Sequence, residues 1–120
     1  MKYMLMIYQN SDAWKTLSES ERSSVMNEAG EIMTELTASG EWVGGEALAD
    51  SSAAQSVRVR NGEAIVTDGP YIEYKEQLAG FLIVDCESPA RALEIATRWP
   101  DARNWGMEVR PLMHGSGETS

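Results

Sequence analysis

The stretch SESERSSVMNEAGEIMTELTASG, residues 18–40, decides how the chain is read. Ser18 followed three residues later by Glu21 fits a capping box, in which each side chain accepts from an amide that the helix start leaves orphaned. Val25, Met26, Ala29, Ile32, Met33 and Leu36 then recur at helical spacing, one apolar stripe on a polar cylinder. Gly40 suits the left-handed residue that ends such a helix. The spacing predicts a helix over 19–39 with a single buried face.

Outward from this helix the chain reads as strands. Lys2 to Tyr8 is a short apolar run of β-formers, stopped by Gln9-Asn10-Ser11-Asp12. Glu41-Trp42-Val43 begins a second strand, with Gly44-Gly45 as a bend or a close backbone approach. Residues 49–55 form a small polar loop. Val57 to Arg60, Asn61-Gly62 and Glu63 to Thr67 make a hairpin, because Asn-Gly supplies the two positive φ angles of a type I′ turn. In that register Val59 faces Ala64 and Val57 faces Val66, giving one apolar face, and Arg60 lies opposite Glu63. Leu78 to Cys86 is a nearly continuous apolar run, which predicts a strand buried on both faces. Ser88-Pro89 reads as an N-cap followed by proline at the first helical position. Ala92, Leu93 and Ala96 carry this second helix to Pro100, and Met107 to Leu112 is a last strand.

The order is β-α-β, a hairpin, then β-α-β. Right-handed crossovers place both helices on one face of an antiparallel sheet, so the fold class is α+β with a ferredoxin-like arrangement. The opposite sheet face is then bare, and a second copy is the simplest cover, which predicts a homodimer closed as a dimeric α+β barrel. A single domain over 1–113 and a polar, flexible tail over 114–120 are expected.

Composition bounds the function. The chain has 120 residues, the size of one domain. Nineteen acids against ten lysines and arginines give a net charge of −9, which argues against a nucleic-acid partner or an anionic membrane surface. One cysteine, Cys86, excludes an intrachain disulfide framework, and one histidine, His114, excludes a His-based triad or a multi-histidine metal site within one chain. The early apolar stretch is too short to span a bilayer and lacks a signal-peptide pattern, so a cytoplasmic protein is expected. No cofactor and no metal are expected.

Phosphate loops and nucleophile elbows are absent from the sequence. His114 reads as a solvated tail residue and Cys86 as a small buried hydrophobe. The informative stretch is Thr67 to Gln77, which gathers three acids, a lysine and two phenols into one connection. Asp68, before Gly69-Pro70, either points rigidly toward a pocket or caps its own turn. Tyr71 reads as a core or lid aromatic, and Glu73, Lys75 and Glu76 as a charged face or part of a site. Glu46, just past the glycine pair, and Tyr8, at the end of the first strand, are further candidates. Trp14, Trp42, Trp99 and Trp105 need indole partners when buried. Glu28, Glu31 and Glu35 ride near the apolar stripe of the helix, and one turned inward would acquire a raised pKa.

These motifs resemble the YCII-related superfamily and, within it, the DGPF-domain proteins. The resemblance runs nearly end to end and rests on residues 2–8, 44–48 and 57–60. Its most specific part is Val66-Thr67-Asp68-Gly69-Pro70-Tyr71, with Glu73, Lys75 to Leu78 and Gly80-Phe81 following. Val109-Arg110-Pro111 closes it. Tyr71 stands where the motif's name has phenylalanine, and Ala79 where the family has a glycine. The resemblance implies a dimeric α+β barrel with a cleft near the motif. It also implies, for some members, a functional link to an extracytoplasmic-function sigma factor. The histidine–aspartate pair of relatives proposed to be enzymes falls at about Glu28 and Ala38, and neither matches.

Two functions stay open at this point. One is a small-molecule-binding module, with a regulatory role as one form of it, in which Asp68 and Tyr71 orient a polar ligand beside Tyr8, Glu46, Glu73 and Lys75. The other is a small-molecule enzyme of isomerase, cyclase or lyase type, with Asp68 as the catalytic base and Glu46 or Tyr8 assisting.

Overall fold

The structure is a computed structural model that describes residues 1–72 and 74–113. Strand β1 (Lys2–Asn10) leads into a one-turn-and-a-half helix α1 (Ser11–Thr16) and the long α2 (Glu19–Ser39). Then come β2 (Trp42–Ala47), a 3₁₀ turn (Ser51–Ala53), and the strands β3 (Gln55–Arg60) and β4 (Glu63–Asp68). The chain closes with β5 (Glu76–Asp85), α3 (Pro89–Arg98), α4 (Pro100–Asn104) and β6 (Gly106–Pro111).

Helix α2 begins and ends where its sequence signals stand. Ser18 accepts from the Glu21 amide at 3.0 Å, Glu21 accepts from the Ser18 amide at 3.1 Å, and Gly40 adopts φ +80°. Only Ile32 and Leu36 of the stripe are fully buried, and Met26 is exposed. Helix α1 was not legible as a stripe; Asn10 caps it, accepting from the Ala13 amide, and Trp14 packs its ring 6.1 Å from that of Trp105. Pro100, expected only to end a helix, also opens α4.

Four strands form one antiparallel sheet in the order β2-β5-β1-β6, the ferredoxin-like order once the hairpin is set aside. Tyr3, Leu5, Leu82 and Val84 turn to one face and form the core with Ile32, Leu36, Ala92, Ile95 and Trp99 from the helices. Alternation sends Met4, Met6, Phe81 and Ile83 to the other face. No helix covers that face among the described residues, and the molecule is a slab of 48 × 46 × 18 Å. The expectation that β5 is buried on both faces is therefore corrected. Gly80, Leu82 and Val84 are buried, whereas Phe81 and Ile83 are only half-buried, because the chain supplies one helical layer and not two.

The hairpin pairs in the expected register, with Asn61 at φ +52° and Gly62 at φ +79°. It does not join the main sheet; β3 and β4 form a separate two-stranded sheet, and residues 57–68 are all exposed. Its apolar face is thus not part of this chain's core.

Candidate functional site

The site is built around an irregularity in β5. Register with β1 shifts between Ile7 and Tyr8, so that Tyr8 lies opposite Leu78 and Ala79 is bulged out. A bulge re-aims the side chains beside it. Here it brings Tyr8 and Leu78 together at the end of the sheet, where both line one cleft. The freed Ala79 carbonyl accepts from the Leu48 amide at 2.8 Å, which ties the segment after β2 to the same spot.

Two walls rise from this floor. One is Leu48–Ala54, whose 3₁₀ turn is capped by Asp50 through the Ser52 amide at 3.0 Å. The other is formed by residues 70–72 and 74–77. Gln77 holds it down, its side-chain amide donating to the carbonyls of Ile72 and Tyr74 at 2.7 and 2.8 Å. Between the walls is a cleft of about 680 Å³, lined mainly by apolar groups, among them Pro70, Tyr71, Ile72 and Leu78. Tyr71, Ile72 and Leu78 are 63%, 50% and 40% exposed, more apolar surface than a connection needs to show water.

The Asp68-Gly69-Pro70 motif joins the hairpin to the cleft wall. Gly69, at φ +101°, donates its amide to the Ala54 carbonyl at 2.7 Å, and Ser56 donates its hydroxyl to the Gly69 carbonyl at 2.8 Å. A φ in that range favours glycine. Asp68 is exposed at the hairpin base and accepts from Gln55 at 3.3 Å rather than capping its own turn. It does not line the cleft. Arg58, on the hairpin face turned to the motif, stacks over the Tyr71 ring at 4.6 Å from its centroid.

Tyr8 and Tyr71 are therefore brought together by the cleft, with Tyr74 and Glu76 beside them. Lys75 lines an adjoining open depression with Tyr8, Glu76 and Glu108. Glu46 is exposed opposite Phe81, on the bare face of the sheet. Glu73 and His114 lie outside the described residues. Glu28 pairs with Arg103 and Glu35 with Arg98, both outward, so neither is an inward acid. Cys86 is buried, and burial pushes its thiol pKa up, as its reading as a small hydrophobe expects.

Several groups were missed. Asp101 is the one buried charged residue among those described, accepting from Gln9 at 2.9 Å and from the Trp99 indole at 3.0 Å. Desolvation raises its pKa. Only the helix-opening Pro100-Asp101 pair hinted at its position, and nothing in the sequence placed Gln9 beside it. A second cavity of about 380 Å³ shares the Leu48–Ser51 wall and is lined on its far side by Gln9, Trp14, Lys15 and Arg22. Among the described residues no group of three or more His, Cys, Asp or Glu side chains is placed to hold a metal ion, and no helix is long and apolar enough to cross a membrane.

The family model of the YCII-related domain matches residues 1–115. An uncharacterised protein of Rhizobium meliloti (strain 1021) is 33% identical over 114 residues, covering 93% of this chain and 92% of the relative. The matched residues span both βαβ units, the hairpin and the cleft motif, and this chain belongs to the YCII-related family.

Proposed function

We propose that the chain is a small-molecule-binding protein whose ligand enters the cleft between Leu48–Ala54 and Pro70–Leu78. The observation that carries this reading is the cleft itself. Its volume falls within the roughly 300–1,000 Å³ typical of ligand pockets, its walls are apolar, and each wall is pinned by backbone or amide hydrogen bonds. The ligand it suits is apolar or aromatic with a polar end for the phenols of Tyr8 and Tyr71. Asp68 lies at the hairpin base and does not touch this ligand; its exposure favours binding over catalysis by that carboxylate.

The same proposal has the bare face of Met4, Met6, Phe81 and Ile83 covered by a second copy in a homodimer. Placement among the DGPF-type members, and with it a regulatory link to an extracytoplasmic-function sigma factor in the cytoplasm, rests on the Val66–Tyr71 motif. Titration with the apolar dye 1-anilinonaphthalene-8-sulfonate tests the cleft. Ile72→Ser and Leu78→Ser should each weaken dye binding by roughly tenfold, the equivalent of about 1.4 kcal/mol. Unchanged binding in both variants would remove the cleft as the site.

A further inference from the structure

The apolar cleft has a charged neighbour. The cavity of about 380 Å³ shares with it the Leu48–Ser51 wall and also Gln77 and Leu78. Into this cavity the chain places two cations, Lys15 from the last turn of α1 and Arg22 from the first turn of α2. Both helices are fixed at this end. Asn10 caps α1, the Ser18–Glu21 capping box starts α2, and between them the Leu17 amide donates to the Trp14 carbonyl at 3.2 Å. Arg22 is half-buried and donates from one guanidinium nitrogen to the Leu17 carbonyl at 3.0 Å. Its other N–H groups have no partner among the described residues.

Cations without a carboxylate partner stand out in a chain with nineteen acids and ten lysines and arginines. Arg91, Arg98, Arg103 and Arg110 pair with Glu41, Glu35, Glu28 and Glu108, whereas Lys15 and Arg22 form no ion pair among the described residues. The one acid lining their cavity is Asp50, and its carboxylate is committed to the wall. It accepts from the Ser52 amide at 3.0 Å, and hydrogen bonds from Ser52 above all, then the charge of Lys15 and a bond from Ser11, hold its pKa below the ordinary value. Asp12 opens instead onto an adjoining depression that Lys75 also lines. Two cations and one carboxylate leave the cavity one positive charge, which a single monoanion neutralises. A dianion would overshoot on a body already at −9. The rest of that charge is largely screened beyond about 8 Å at physiological ionic strength. A guanidinium in the cavity offers a carboxylate charge-assisted hydrogen bonds.

We propose that this cavity receives the carboxylate of a ligand whose apolar body occupies the cleft, so that the ligand class is an aromatic or aliphatic monocarboxylate held at its charged end by Arg22 and Lys15. The inference rests on the cleft reading above and specifies a charge which that reading left open. Gln77, shared by both spaces, spends both hydrogens of its amide on the Ile72 and Tyr74 carbonyls. Gln9, which also lines the cavity, turns an amide hydrogen to Asp101 at 2.9 Å. The charged donors left for an incoming carboxylate are the two cations, and the apolar side chains of Ile72 and Leu78 take the other end. A ligand is thereby given a direction as well as a place.

Calorimetric titration of the intact chain at pH 7 tests this, with phenylpropanoate, phenylbutanoate and phenylhexanoate each compared with its neutral amide. The best-bound acid should bind at least roughly tenfold tighter than its amide. The double variant Lys15→Gln, Arg22→Gln should abolish that preference and leave the amide's affinity unchanged, and added salt should weaken the acid alone. Ile72→Ser should weaken acid and amide alike. If circular dichroism shows that the double variant fails to fold, Lys15→Gln, at an exposed position, is read in its place and should lower the preference by roughly threefold or more. Equal affinity for acid and amide overturns the charged end and leaves the cleft reading standing. A preference that survives the cation variants, or variants that weaken acid and amide equally, also overturns it. An acid whose binding ignores Ile72→Ser sits outside the cleft and overturns it too. Binding of neither compound overturns the cleft reading and this inference with it.

Discussion

At the scale of single residues, Asp68 and Glu41 differ in how much of their surroundings their sequence context shows. Asp68 stands in the most specific motif, yet it is exposed and makes one long hydrogen bond to Gln55. Asp68→Ala should therefore change stability by less than about 0.5 kcal/mol, read as an unchanged unfolding midpoint, whereas a turn cap would cost about 1 kcal/mol. Glu41 drew no notice in the sequence beyond opening a strand, because its partner Arg91 is fifty residues away. It accepts from Arg91 at 2.8 and 2.9 Å, with both side chains mostly buried, and the guanidinium holds its pKa down to about 2. The unfolded chain protonates this group near 4.5, so its contribution is present above that pH and is lost as pH falls toward 2. Glu41→Gln should lower stability at neutral pH by about 1–3 kcal/mol, with the gap from wild type closing as the pH drops through that window. Asp101 runs the other way. Its raised pKa means the folded state keeps its proton to higher pH than the unfolded chain, so its contribution declines as pH rises above 3.8.

At the scale of elements, legibility followed the range of the forces involved. The limits of α2 and the hairpin register were readable because capping boxes, left-handed glycines and Asn-Gly turns act within a few residues. Helix α1 and the bulge at Ala79 were not, since each depends on what a distant segment presents: Trp105 to α1, Tyr8 and Leu48 to the bulge. The cleft was legible only as a place near the motif; that Gln77 and the 3₁₀ turn build its walls needed the fold. The Gly44-Gly45 pair shows the boundary well. A Cβ at Gly45 would sit 2.8 Å from the Phe81 carbonyl, and one at Gly80 2.8 Å from that of Glu46, while Gly44 faces open space. Gly80→Ala should cost about 1–3 kcal/mol in thermal unfolding, and Gly44→Ala less than about 1 kcal/mol.

At the scale of the whole molecule, the described chain is one helical layer on one four-stranded sheet, with a separate two-stranded hairpin and a cleft where the Gly69-Pro70 segment, the bulge and the 3₁₀ turn meet. The two-layer arrangement was read from element order alone, because right-handed crossovers leave little choice. The detachment of the hairpin was not, since its pairing satisfies the same local rules whether it joins a sheet or stands apart. The claim that the cleft binds a small molecule is tested most directly by amide chemical-shift mapping with a set of fragment-sized aromatic compounds, neutral and carboxylate. Binding in the cleft moves the amides of Leu48, Ala53, Tyr71, Ile72 and Leu78 together and leaves the outer face of α2 unmoved. Fragments that shift nothing, or that shift only residues away from those walls, would contradict it.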